Sequence, residues 1–195
     1  MKNLLPEKLT ILFLLLFLLN SALSAQNRTL IGVNLTTNYD TYTFIKPEAG
    51  LIFERQITLH SGIEAGINYR TYQLQLYFLV NNQSYYPLIN EKYISIPVSC
   101  KFYTKVINAS LGISYDYYIG WSQRNSDADV VSYRQEYDYY LGPFAKISRQ
   151  INLGNNLVLE PELKATILVV PQLMEYYGFG LVGKFCLRKD LPAGK

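Results

Sequence analysis

The chain has a single histidine, His60, and a hydroxyl stands next to it in Leu59-His60-Ser61. A hydroxyl activated by a neighbouring base is the starting point of acyl-transfer chemistry. These two residues fall in a tight turn between extended segments, where adjacent side chains do not face each other as nucleophile and base must. Two carboxylate pairs, Glu160 with Glu162 and Glu136 with Asp138, have the residue types for general acid–base work. A spacing of two puts each pair on one face of a strand. Lys164, Lys146 and Arg134 share that phase, so structural ion pairs are the expected role. Cys100 and Cys186 fall on opposite phases of distant segments, and neither a disulfide nor a metal cluster is expected from them. Ser126–Asp129 (SDAD) reads as a solvated loop. No glycine-rich phosphate loop occurs. The sequence therefore implies no catalytic residue, no cofactor and no metal.

The elements that would position these residues are strands. Strict alternation of apolar and polar residues recurs along the chain. Ile31, Val33 and Leu35 alternate with Gly32, Asn34 and Thr36. Leu51, Phe53 and Ile57 alternate with Glu54, Gln56 and Thr58, with Arg55 the one exception on the apolar phase. Similar segments start near Gly62, Tyr93, Ala109, Tyr133, Leu157 and Tyr177. The total is eight, an even count that suits a closed antiparallel barrel. Short connections (LHS, TKVIN, NLGNN) alternate with longer ones (TNYDTYTFIKPEA, LVNNQSYYPLINE, SQRNSDADVVS), and the last, PQLMEY, is shorter. Turns at one end and loops at the other is the arrangement of outer-membrane barrels.

Residues 1–25 read as a signal peptide. Lys2 and Lys8 precede the apolar run Leu9–Leu19, and small residues follow. The run is shorter than the ~20 residues of a spanning helix. Cleavage is expected after Ala25, or after Ser24, leaving residues 26–195 as one barrel domain exported from the cytoplasm. The net charge of +3 gives no footprint for nucleic acid, and 18 tyrosines mark a β-rich composition.

Which way the apolar phase points decides the class. In a membrane barrel it meets lipid, and the charges of the other phase are enclosed and must be paired. The enclosed acids would be Glu54, Glu64, Asp116, Glu136, Asp138, Glu160 and Glu162. The enclosed bases would be Arg70, Lys101, Arg134, Lys146, Lys164 and Lys184, with Arg188 at the rim. The two sets nearly balance, and small residues share their phase. An eight-stranded barrel is just wide enough inside for side chains to fill. A plug of ion pairs is expected, not an open channel. Tyr69, Tyr115, Tyr117, Trp121, Tyr137, Tyr139 and Tyr177 lie on the apolar phase near the loop ends, and Phe102 and Phe185 near the turn ends. These are expected to form two membrane-interface girdles.

The segments Gly50–Tyr72, Lys92–Tyr103 and the final YYGFGLVGKF resemble those of the PorT-like outer-membrane β-barrel proteins of Bacteroidota, over nearly the whole mature chain. The resemblance implies an eight-stranded antiparallel up-and-down transmembrane barrel in the cell outer membrane. Named members of that group assist a protein secretion system. It therefore implies a non-enzymatic structural, assembly or surface-interaction role, with lipid and other envelope or secretion proteins as partners. A narrow conduit for ions or small solutes is the alternative, and a lipid-modifying or proteolytic barrel enzyme the third reading. The barrel is expected to be a monomer. The chain departs from many bacterial barrels in running on through KDLPAGK instead of stopping on an aromatic residue.

Overall fold

The computed structural model describes residues 28–40, 45–125, 130, 137–154, 156–169 and 174–189. The expected signal peptide lies outside them. Eight long strands form a ring: β1 (Arg28–Asp40), β2 (Ile45–Gln56), β3 (Ser61–Gln75), β6 (Leu88–Phe102), β7 (Asn108–Asn125), β8 (Tyr139–Ser148), β10 (Leu157–Leu168) and β11 (Met174–Lys189). Short β4 (Phe78–Val80) and β5 (Gln83–Tyr85) tip the β3–β6 hairpin, and β9 (Ile151–Gly154) prolongs β8. Every pairing is antiparallel, and β11 returns to β1 from Asp40↔Tyr176 to Arg28↔Lys189 to close the ring. Closure leaves the wall without an unpaired edge.

The burial pattern is inside out. On β1, Val33 and Leu35 are 55% and 66% exposed, while Asn34 and Thr36 are buried. On β8 the pattern alternates without a break, with Gly142, Phe144, Lys146 and Ser148 buried and Leu141, Ala145 and Ile147 exposed. A soluble barrel would reverse this. An outer surface of Leu, Ile, Val and Phe around a charged interior requires lipid outside. No helix among the described residues is long and apolar enough to cross a membrane, so the strands make the crossing.

Several strands run further than the alternation suggested. β2 begins at Ile45, not Gly50, and β6 begins at Leu88, not Tyr93. Two of the expected long loops are therefore largely sheet. β3 and β6 rise together as a ribbon, joined past Gln75 by Leu76 N–H donating to the Pro87 carbonyl at 3.0 Å. The ribbon turns at Asn81 and Asn82, whose positive φ angles of 52° and 61° are those of a two-residue hairpin turn, which Asn tolerates well. In the opposite direction, β8 begins only at Tyr139.

β7 carries a bulge. Tyr93 pairs with Tyr118 and Lys92 with Gly120, so Ile119 has no cross-strand partner. An extra residue moves everything beyond it to the other face. Trp121 therefore pairs with Glu91, which is buried. Its expected place in the outer girdle is corrected: it lies on the inward phase.

Candidate functional site

Among the described residues, the interior is where the strands gather chemically capable groups in quantity. Seven acids and six bases are buried there among the described residues. They are stacked in layers between the turn end and the loop end.

Nearest the turns lies a small apolar layer of Leu30, Val158 and Cys186. Above it sits a tight cluster of lysines and glutamates. Glu54 and Glu64 face each other across β2 and β3, a like-charge pair that destabilises a sheet unless a cation intervenes. Lys184 from β11 supplies it. Its Nζ donates to Glu54, to Glu64 at 2.9 Å and to Glu160 at 2.6 Å. Lys101 reaches Glu54 at 2.8 Å and Glu160 at 2.5 Å, and Lys146 pairs with Glu64 and, at 3.0 Å, with Glu162. The cluster holds one more acid than base, and neutral donors serve the excess. Tyr103 Oη and Gln150 Nε2 donate to Glu54 Oε1 at 2.9 and 3.0 Å, and the Ser148 hydroxyl donates to Glu160. Burial and the Glu54 carboxylate beside it push the phenol of Tyr103, in the turn after β6, well above its usual range.

Oxygens of Glu54, Glu64 and Glu160 lie within 4.8 Å of one another. That is a set of hard donors a divalent cation could use. The ammonium groups of Lys184 and Lys101 already sit against these oxygens, so the protein supplies its own cations.

The middle layer centres on Arg70. Its Nε donates to Glu48 at 2.9 Å and its Nη1 to Asp116 at 2.8 Å. Asn38 and Asn68 amides donate to Glu48 at 2.9 and 2.6 Å, and Ser114 and Tyr72 hydroxyls donate to Asp116 at 2.8 and 2.6 Å. Lys164 Nζ lies 3.4 Å from Glu48 and 5.2 Å from the centre of the Phe144 ring. Glycines make room for such bulk. A Cβ on Gly112 would stand 2.8 Å from Phe144 Cε1, and one on Gly180 would stand 2.6 Å from Thr36 Oγ1.

Toward the loops the interior closes with aromatic rings. Tyr72 packs on Tyr93 and Tyr176, each at 4.8 Å between ring centres, and Tyr93 meets Tyr140 at 5.7 Å. Leu168 completes the cluster and Tyr118 packs against it. Lys46 Nζ lies 5.5 and 5.4 Å from the centres of the Tyr72 and Tyr176 rings, within cation–π range. Tyr93 donates to Glu91 at 2.7 Å.

Of the residues expected inside, Glu54, Glu64, Arg70, Lys101, Asp116, Lys146, Glu160, Glu162, Lys164 and Lys184 are buried; all but Lys164 form an ion pair with another of the set, and Lys164 reaches Glu48. Asp138 is not among them. It is exposed, because β8 starts one residue later and the alternation that would turn it inward is not yet in force. Arg134 and Glu136 lie outside the described residues. Lys46, Glu48, Glu91 and the tyrosine cluster were not singled out in the sequence. Pro47 and the Asn- and Tyr-rich context gave those stretches the look of loops.

Outside, Tyr69, Tyr117 and Tyr139 fall on one continuous cross-strand row through Ile94. Tyr115 stacks on Tyr139 with ring centres 5.7 Å apart. Tyr137 and Tyr177 are exposed at the same end, and Phe102 and Phe185 at the other. His60 is exposed in its turn, where Thr58 Oγ1 pairs with Ser61 Oγ at 2.7 Å. The neighbour of the Ser61 hydroxyl is thus a threonine.

No family model matches the chain, and no curated protein matches it. Among solved structures it is similar to the outer membrane protein OprG from Pseudomonas aeruginosa, with a TM-score of 0.58 at 11% identity, covering 84% of this chain and 97% of that one. It is also similar to Ail of Yersinia pestis, with a TM-score of 0.46 at 10% identity, covering 83% and 97%. The fold is that of an eight-stranded transmembrane β-barrel of the bacterial outer-membrane type, with its interior filled by paired charges.

Proposed function

We propose that this protein is a non-enzymatic outer-membrane barrel whose role is structural or one of surface interaction, including service as an accessory to secretion. The observation that carries this reading is the filled interior. From Leu30 to Tyr176 the lumen is occupied by buried side chains that bond to one another. That arrangement serves rigidity and leaves the work to what projects from the membrane. The turns then face the periplasm and the β3–β6 ribbon faces outward. This ribbon continues for about 40 Å of extended chain past Tyr69. It carries no charged residue from Thr71 to Asn90. Tyr77, Phe78, Leu79 and Tyr86 are exposed at its tip, with the Tyr77 and Tyr86 rings 5.4 Å apart. Aromatic and amide side chains on a rigid ribbon suit contact with another surface. The PorT-like resemblance fits this reading, since its quoted segments are barrel strands here.

Planar-bilayer recording tests it, using protein whose gel mobility changes on heating. Silence over a range of voltages is expected. Steady discrete openings would overturn the closed lumen and make Glu54, Glu160 and Lys164 the residues to mutate next.

A further inference from the structure

The charges left outside the barrel, among the described residues, are sorted by end. Among the described side chains, the accessible acids are Asp138 and Glu175, and both lie toward the loops. Of the accessible bases, only Lys92 lies toward the loops. Arg28, Arg55, Lys105 and Arg149 lie at the turn end. The register of β11 against β1 brings the backbone of Arg188 and Lys189 to the same rim. No accessible acid stands among these bases in the described residues.

The same rim is apolar where a turn facing water would be polar. Leu59, Val106 and Ile107 are 64%, 66% and 49% exposed at the tips of two turns, and Leu153 is 55% exposed on β9. A base-rich rim with aliphatic tips is the chemistry of a surface that seats in a headgroup layer. The hydrocarbon enters the acyl region while guanidinium and ammonium groups meet phosphate.

We propose that the turn-end rim, centred on Arg28, Lys105 and Arg149, docks the anionic phospholipid headgroups of the leaflet on that side. Charge complementarity selects the anionic lipid. A guanidinium matches the phosphodiester oxygens with paired donors. The exposed aliphatic tips select a membrane surface over a soluble polyanion, because a soluble partner gives Leu59, Val106 and Ile107 nothing to bury against.

The test is native mass spectrometry of the full-length protein released from micelles doped with equal phosphatidylcholine and phosphatidylglycerol. The wild type should retain phosphatidylglycerol in excess. The triple variant Arg28→Gln/Lys105→Gln/Arg149→Gln should lose that excess, by about fivefold for each base removed, while keeping its heat-modifiable gel mobility. Lys92→Gln, at the other end, should behave as wild type. Equal retention of the two lipids by the wild type would overturn the proposal. So would an undiminished excess in the triple variant. Displacement of the lipid by free glycerol phosphate would overturn it as well, because it would mean a soluble-phosphate site. The same holds if the triple variant loses only its co-sedimentation with peptidoglycan, since the polyanion would then be the cell-wall polymer. Conductance does not enter these outcomes, so they stand apart from the closed-lumen test.

Discussion

Arg70 on β3 and Asp116 on β7 meet at 2.8 Å inside the barrel, across the width of the intervening β6. Both side chains are almost wholly buried. Breaking one partner of a buried pair leaves a charge with neither water nor counter-ion, at about 3–5 kcal/mol. Asp116→Asn keeps the shape and removes the charge. It should lower the unfolding free energy obtained by urea titration in vesicles by that order, and Asp116→Leu should lower it further by stranding the Ser114 and Tyr72 hydroxyls as well.

Lys184 bridges Glu54, Glu64 and Glu160, and Lys101 touches the same three with a longer 3.5 Å reach to Glu64. Lys184→Met should destabilise the barrel more than Lys164→Met, whose ammonium has a single carboxylate contact at 3.4 Å. Adding Glu160→Gln to Lys184→Met should recover part of the loss, because one uncompensated carboxylate disappears. A coupling of about 0.5–3 kcal/mol in the double-mutant cycle is expected. Strict additivity would mean that the two groups do not sense each other.

The outer face gives the converse experiment. Leu35 is 66% exposed near the middle of β1. Leu35→Arg should cost about 2–4 kcal/mol in a bilayer. The same change on a water-facing surface would be close to neutral, so a neutral result would sink the inside-out assignment.

The two cysteines, neither of them in a disulfide, report on the same question. Cys100 is exposed on the outer face and Cys186 is buried inside. An apolar maleimide should label Cys100 in the folded barrel, and Cys186 only after unfolding. Rapid labelling of Cys186 in folded protein would require an interior open to the reagent.

Tyr103 predicts a response to alkali. Its phenol ordinarily titrates near 10.0 and is held higher in the folded state, first by burial and then by Glu54. Its contribution to stability is therefore full below about pH 10 and falls as pH rises above that, where the unfolded chain ionises first. Tyr103→Phe should lose less stability than the wild type over that range, as read from unfolding midpoints on either side of it.

The alternation of Ile31 with Gly32 or Leu141 with Gly142 was legible because a two-residue period leaves each side chain one choice of face. It led to ten of the buried charges. It stopped at Pro47, where a residue that cannot donate to a ladder suggested a loop. Pro47 instead sits on the outward phase of β2, between buried Lys46 and buried Glu48. It failed at Trp121 for another reason. A bulge is a single unpaired residue, here Ile119, and nothing in the local pattern of Tyr, Ile and Gly announces it. The tyrosine cluster was hidden by residue type. Tyr serves the lipid interface and an enclosed polar core equally well, and only the register shows that Tyr72 and Tyr93 point inward while Tyr69 points out.

The position of Lys184 on the final strand bears on how the barrel is made. Glu54 enters with β2, Glu64 with β3 and Glu160 with the penultimate strand; of the two cations that touch all three, Lys101 comes with β6 and Lys184 arrives last. Until β11 pairs with both β10 and β1, the three glutamates have only Lys101 and Lys146 among the buried bases of their layer. An incomplete ring is thus an electrostatically unfinished one, short of the third buried lysine that β11 brings to the layer's four glutamates.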